Sequence, residues 1–406
     1  MRLIRLLIVL SVIQFITVDA QNKLTLDEAI NMAYENNIEL NKSFASIRNA
    51  EINMDESSRL PNPTFSYSRE DLKFNSLKYN EWTASGAIPI NFLWDRWSNL
   101  ESKEKQLESE RILLDHLKTV ISSEVRETYF TLYYYSDLSQ KLSETLSRLS
   151  EIANSAKDRF VEGDISEYEL LRIRIEVNKL KATAKEIEIQ EVKYRNQLKL
   201  LIGSGESDFT LTDINQVNVK TNYTEEELII KALENRNDLK AFQHKIESEN
   251  SLLSHNKLKA IPNIYLSAGY KEQLDNFKGS VFQVNFEVPL FNRNQKAIQQ
   301  SWNSIALQEK KLMFFREKVK AEVSELYTRF NINKNLYDEV SDLFLSNIFE
   351  TAVYSYELGE ISLVDFMDGI NAFIDGSKLA NEIGINFHKS FFMLEKATGI
   401  ALTNFE

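Results

Sequence analysis

The sequence predicts a mainly α-helical chain with a small β part, in which long antiparallel coiled-coil helical hairpins carry four strands. Three observations lead there. Turn residues are scarce, with 11 glycines and 5 prolines in 406 residues, well below the roughly 7% and 5% of ordinary domains. A chain so poor in turns must spend its length in long uninterrupted elements. The hydrophobic period is helical over most of the sequence and switches to two in four short segments. The plan is also written twice. Ala33 to Leu40 corresponds to Ala232 to Leu239 at an offset of 199 residues, and Pro63 falls on Pro262 at the same offset. Ala156 to Ser166 corresponds to Ala352 to Ser362 at an offset of 196, which still holds at Gly203 and Gly399.

The elements follow in order. Residues 1–20 read as an export signal: Arg2 and Arg5 precede the apolar run Leu6 to Val18, and Val18-Asp19-Ala20 offers a small-residue cleavage site. That run is short for the ~20 residues of a membrane helix. After residue 20 no apolar stretch approaches that length, so any membrane insertion by the mature chain must use strands. Residues 21–202 form a first repeat, with a helical stretch over about 24–58, a β-hairpin at 63–90 and a long helical hairpin turning near 163. Residues 203–223 form a linker with the strand-like Phe209-Thr210-Leu211. Residues 224–402 form the second repeat, with a helical stretch over 224–259, a hairpin at 262–290 and a helical hairpin turning near 359. The five prolines sit at equivalent places in both halves, Pro61, Pro63 and Pro262 ending helices and Pro89 and Pro289 ending strand pairs.

Within the hairpins, Ile264, Leu266, Ala268 and Tyr270 alternate with Tyr265, Ser267 and Gly269, and Phe282, Val284, Phe286 and Val288 with Gln283, Asn285 and Glu287. The first half is weaker, with Phe65 and Tyr67 against Ser66 and Ser68, then Trp82, Ala84, Gly86 and Ile88 against Thr83, Ser85 and Ala87. One face apolar and one polar is the pattern of a transmembrane strand, shared by a half-buried soluble hairpin. Trp82, Trp94 and Trp97 near the strand ends suit an interfacial aromatic belt. Helical seams run through Leu142, Leu146, Leu149, Ala153, Ala156 and Phe160, through Leu170, Ile173, Val177 and Leu180, and through Val319, Val323, Leu326, Phe330, Tyr337, Val340 and Phe344. A helix from about 95 to 160 would measure roughly 100 Å.

Lipid tolerates no open sheet edge, and four strands cannot close a barrel, since membrane barrels start at about eight. If the hairpins span a membrane, the chain must oligomerise: two copies give eight strands, three give twelve. Twelve suits a hollow cylinder, because eight leave an interior filled by side chains. The net charge of −12 argues against nucleic acid as a partner. Zero cysteine excludes disulfides, thiolate metal sites and a lipidated N-terminal Cys. The four histidines are too scattered to suggest a ligand cluster. Gly163-Asp164-Ile165-Ser166 is no phosphate loop, and neither Gly-x-Ser-x-Gly nor His-Glu-x-x-His occurs. No enzyme and no cofactor is expected.

Gly163 and Gly359 fall where long helices must end in a left-handed residue. Ser166-x-x-Glu169 and Ser362-x-x-Asp365 then restart helices as capping boxes. Asp365 and Asp368 lie three apart on one face of a helix start, where the dipole favours carboxylates. The export signal, the paired halves, Leu60-Pro61-Asn62-Pro63 before the first hairpin and the twin Phe/Tyr-x-x-Gly-Asp/Glu-Ile-Ser turns together resemble the TolC-type outer-membrane efflux channels. Within that family the cation-efflux branch is nearest, and the resemblance covers about 24–402.

The resemblance implies a homotrimer: a twelve-stranded barrel in the cell outer membrane, continued by an α-helical tunnel through the periplasm. It implies a passive exit duct of a tripartite pump, with a periplasmic adaptor protein and an inner-membrane transporter as partners. It makes Phe160, Gly163, Ile165, Tyr356, Gly359 and Ile361 the contacts of the adaptor. It also places Val364-Asp365-Phe366-Met367-Asp368 where the family narrows the periplasmic entrance, so that three copies would gather six carboxylates from Asp365 and Asp368. Many relatives begin with an acylated cysteine; here outer-membrane lipid must be held by the barrel alone. The alternative is a trimeric periplasmic or surface coiled-coil protein, structural or adhesive, without a conducting pore. The alternating hairpins separate the two, because a fibre has no use for strand pairs with apolar outer faces. No Met- or His-rich stretch marks the cargo.

Overall fold

The computed structural model describes residues 23–75, 77–205, 208–212, 223–273, 277–341 and 345–402. The expected export signal, most of the 203–223 linker and the seam residue Phe344 lie outside the described residues. The elements are β1 (Lys23–Leu24), α1 (Leu26–Asn36), α2 (Ile38–Ser58), β2 (Thr64–Phe74), β3 (Leu77–Pro89), α3 (Arg96–Glu162), α4 (Glu167–Ile202), β4 (Thr210–Leu211), α5 (Glu225–Asn235), α6 (Asn237–Leu258), β5 (Asn263–Glu272), β6 (Lys278–Glu287), α7 (Gln295–Ser341), α8 (Leu345–Glu357) and α9 (Leu363–Thr398). The chain is mainly helical with a small sheet part, as the turn-poor composition requires. It forms two compact units.

The helical stretches expected over 24–58 and 224–259 are each built of two helices. Asn37 and Arg236 have extended backbones, with ψ of 127° and 120°. At the first break the Asn37 N–H still donates to the Ala33 carbonyl, closing α1. At the second, Arg236 is buried and its guanidinium donates to both oxygens of Asp238, at 3.1 and 2.8 Å, while Asp238 also accepts from the Leu239 N–H. Local side-chain bonds of this kind compete with helix continuation.

The first unit, 23–38, 118–232 and 321–402 as far as described, is mainly helical. Its core takes Leu142, Leu149 and Ala156 from α3, Leu170, Ile173 and Leu180 from α4, Val353 from α8, and Phe366, Met367 and Ile370 from α9. Those from α3 and α4 are the expected seam positions, buried because the 3.5-residue stagger brings them to one face. Each Leu, Ile, Val, Phe or Met side chain so enclosed contributes about 1.5–3 kcal/mol. A two-residue parallel pair, β1 with β4, joins Lys23 to Thr210 and Leu24 to Leu211. The Tyr129 hydroxyl, fully buried, donates to the Leu24 carbonyl at 2.8 Å. The strand expected at 209–211 exists, and its partner at the start of the described chain was not foreseen.

The second unit, 39–117 and 233–320, holds a four-stranded antiparallel sheet in the order β2-β3-β5-β6. Residues directly opposite one another share a face. Phe65 therefore lines up with Gly86, Ala268 and Phe282, and Ile88 with Leu266 and Val284. On the other face Ser66 meets Ser85, with hydroxyls 2.8 Å apart, and Ala87 meets Ser267, which in turn meets Gln283. The apolar face is open: Phe65 is 85% and Phe282 83% exposed. Among the described residues no helix is long and apolar enough to cross a membrane.

Candidate functional site

Two places in the chain carry chemistry: the helical turns of the first unit and the sheet of the second. The turns come from glycine. Gly163 and Gly359 have φ of +87° and +73°, a left-handed conformation that costs residues with a Cβ about 1 kcal/mol or more. An added Cβ would meet nothing within 4 Å at either, so backbone preference alone fixes glycine there. After each turn a capping box restarts the helix. Ser166 Oγ accepts from the Glu169 N–H, and Glu169 accepts from the Ser166 N–H at 2.8 Å. Hydrogen bonds from the Ser166 N–H and the Ser166 hydroxyl hold the Glu169 carboxyl below the usual carboxylate range.

Asp365 plays the same part at the second turn. Its carboxylate accepts from the Ser362 hydroxyl at 2.6 Å and from the Ser362 N–H at 3.2 Å. Asp368 lies one turn on and is exposed. The paired carboxylates are thus not equivalent: one is engaged in capping, the other faces water.

The expected docking residues also divide. Phe160, Gly163 and Gly359 are exposed. Ile165, Tyr356 and Ile361 are partly buried and pack against the first unit's core, with Tyr356 stacked on Phe366 at 4.5 Å. Burial pushes the Tyr356 phenol up. What stands out at the turns are Val161 and Leu358, 78% and 56% exposed, which sequence reasoning passed over. The signal was available, since apolar residues beside a solvent-facing glycine have no core to enter.

The sheet presents a second site. Tyr67, Trp82 and Tyr270, from three adjacent strands, form a row on the apolar face with ring centroids 6.2 and 5.9 Å apart. Just beyond Tyr67 on that face the chain turns polar, with Arg69 paired to Asp71 at 3.1 Å. Aromatic rings between an apolar band and charge are the arrangement of a membrane interface. Among the described residues no group of three or more His, Asp or Glu side chains is placed to hold a metal ion.

No family model matches the chain. In structure it is similar to the CmeC outer membrane channel of Campylobacter jejuni, with a TM-score of 0.73 at 17% identity, covering 92% of this chain and 85% of that one. The fold is that of the outer-membrane channels. The open-state MtrE outer membrane channel of Neisseria gonorrhoeae shares it, with a TM-score of 0.72 at 14% identity over 93% of this chain and 89% of that one. In sequence, this channel-fold chain is similar to the cobalt-zinc-cadmium resistance protein CzcC of Cupriavidus metallidurans, 21% identical over 367 residues, 86% of this chain and 84% of the relative.

Proposed function

We propose that the chain is the outer-membrane exit channel of a tripartite efflux pump and works as a homotrimer. The observation that carries this reading is the four-stranded sheet, with its exposed apolar face, its polar face and two outer strands, β2 and β6, each paired on one side within the chain. Lipid cannot accommodate such edges, because each unpaired backbone group costs several kcal/mol there. Three copies joined edge to edge give a twelve-stranded barrel, with Phe65 and Phe282 toward lipid and Ser66, Ser85 and Gln283 toward water. Exposed Leu171, Ile175, Ile189 and Val192 along α4 supply apolar contacts for neighbouring copies. A solvated coiled-coil fibre gives no account of this sheet.

The pump's energy comes from an inner-membrane transporter, reached through a periplasmic adaptor. The adaptor docks at the two turns, on Phe160, Gly163, Ile165, Tyr356, Gly359 and Ile361, joined by Val161 and Leu358. Asp365 and Asp368 of three copies narrow the entrance and draw cations into it. The likeness to CzcC favours divalent metal cations as the cargo.

Planar-bilayer conductance of the purified protein tests the reading. Heat-modifiable trimers and discrete channel currents are expected, blocked by a trivalent cation added on the helical side. Asp365→Ala/Asp368→Ala should widen the closed pore and abolish the block. A soluble, monomeric, non-conducting protein overturns the channel. Equal current and equal block in wild type and double variant would reduce the pair to a helix cap.

A further inference from the structure

Charge is distributed unevenly along the sheet. The four segments that join strands to helices, 59–63, 90–97, 257–262 and 288–296, hold Arg59, Arg96, Lys257, Lys259, Arg293 and Lys296 against the single acid Asp95. This basic excess sits in a chain of net charge −12. The segments around the hairpin turns, 69–81 and 271–278, carry five residues of each sign. Position within the sheet, not overall composition, sets the difference.

The basic groups are interleaved with exposed apolar side chains. Leu93, Trp97, Leu290, Phe291 and Trp302 are all exposed, Phe291 to 92%. They continue the open apolar face: β6 presents Phe282, Val284 and Phe286, and exposed Val288 and Leu290 extend the same alternation past its end. Two cations lie over indole rings, the Arg96 guanidinium 5.8 Å from Trp97 and the Lys257 ammonium 5.1 Å from Trp302. Indoles at the edge of an apolar band, with long basic side chains beside them, fit a headgroup layer: the stems lie along apolar surface and the charge reaches phosphate.

We propose that this junction is a collar for the phosphate headgroups of anionic phospholipids in the leaflet next to the helices. The proposal rests on the reading that the sheet spans a membrane. Continuity selects lipid over an acidic protein partner, because the apolar residues of the collar belong to the surface that faces lipid, and a leaflet supplies phosphate at that depth on every side. A surface of basic side chains attracts anionic lipid within about a Debye length.

The test reconstitutes the full-length protein in vesicles of phosphatidylglycerol and phosphatidylcholine, with one or the other brominated on its acyl chains. A Trp82→Phe background leaves Trp94, Trp97 and Trp302 as reporters. Brominated phosphatidylglycerol should quench them with an apparent preference of about threefold or more. The preference should fall toward one in the triple variant Lys259→Gln/Arg293→Gln/Lys296→Gln. It should fall likewise in the unsubstituted collar at about 1 M salt, where the Debye length is near 3 Å; this arm does not depend on the variant folding. Equal quenching by the two lipids, or a preference that survives the substitutions or the salt, overturns the collar. Conductance of the same preparation keeps the two readings apart: a conducting channel without lipid preference sinks the collar alone, whereas a protein that never inserts sinks the channel.

Discussion

His388 sits on α9 against five aromatic rings, Phe130 at 4.6 Å, Phe387 at 4.9 Å, Tyr134 at 5.5 Å, Tyr337 at 5.8 Å and Phe392 at 6.3 Å between centroids. Its Nδ1 lies 3.0 Å from the Gly384 carbonyl, which fits an N–H donating to that oxygen. Burial disfavours the imidazolium and drives the pKa down to about 4. The unfolded imidazole titrates near 6.5, so between these values the unfolded chain binds the extra proton. Stability is therefore fully present above pH 6.5 and is lost as pH falls toward 4, by up to about 3 kcal/mol. His388→Phe keeps an aromatic ring in the cage and removes the proton site. Its melting temperature should drop less than the wild type's between pH 7.5 and 4.5, followed by circular dichroism in detergent; an identical drop would assign the acid sensitivity elsewhere. From sequence this histidine was one of four scattered ones. The cage was not legible because its rings come from three helices, and helical period says which face a residue takes but not which ring it meets.

A helix ends where its sequence supplies a left-handed residue, and this much could be read in advance at Gly163 and Gly359. The capping boxes that follow were equally legible, because their chemistry is local: Ser and an acid three residues later are sufficient. The breaks at Asn37 and Arg236 were not, although Asn36-Asn37 and Asn235-Arg236-Asn237 carry poor helix formers. The exposure of Val161 and Leu358 has no periodic signature, and only the solvent-facing glycines beside them announce it. Replacing Gly359 by Val forces a β-branched residue to φ near +73° and should cost ~1 kcal/mol or more at that turn. Because the strain is confined to the turn, trimers should still form while efflux and adaptor cross-linking fall. Normal resistance with normal cross-linking in the Gly359→Val strain would refute the docking role.

For the molecule as a whole, the two faces of the sheet make opposite demands. Phe282→Arg places a charge on the apolar face and should cost about 2–4 kcal/mol if that face lies at mid-bilayer. Gln283→Arg, one residue along, projects from the polar face and should be tolerated. Folding of each variant into lipid vesicles, scored by heat-modifiable mobility, distinguishes them; equal yields would mean that neither face meets lipid. The alternation behind this prediction was plain in 264–270 and 282–288. It was faint in β2, which continues through Arg69-Glu70-Asp71 to Phe74 without any apolar rhythm, held there by its register with β3. Strand length was set by the partner, and a single segment read alone does not contain it.

The pairing of β3 with β5 joins Trp82 to Glu272, whereas β2 meets β3, and β5 meets β6, across short turns. Hairpins are local and close in microseconds; their union must wait for β5, whose Tyr265 meets Pro89 across a separation of 265 − 89 = 176 residues. At roughly 5–20 residues per second of synthesis, the second hairpin leaves the ribosome some 10 to 40 s after the first. For that interval Phe65 and its neighbours have no β5 to complete their sheet, and a lone hairpin is marginally stable at best. The hazard for this chain is thus one of timing: its first apolar strand residues stay uncovered until the second hairpin arrives to pair with them.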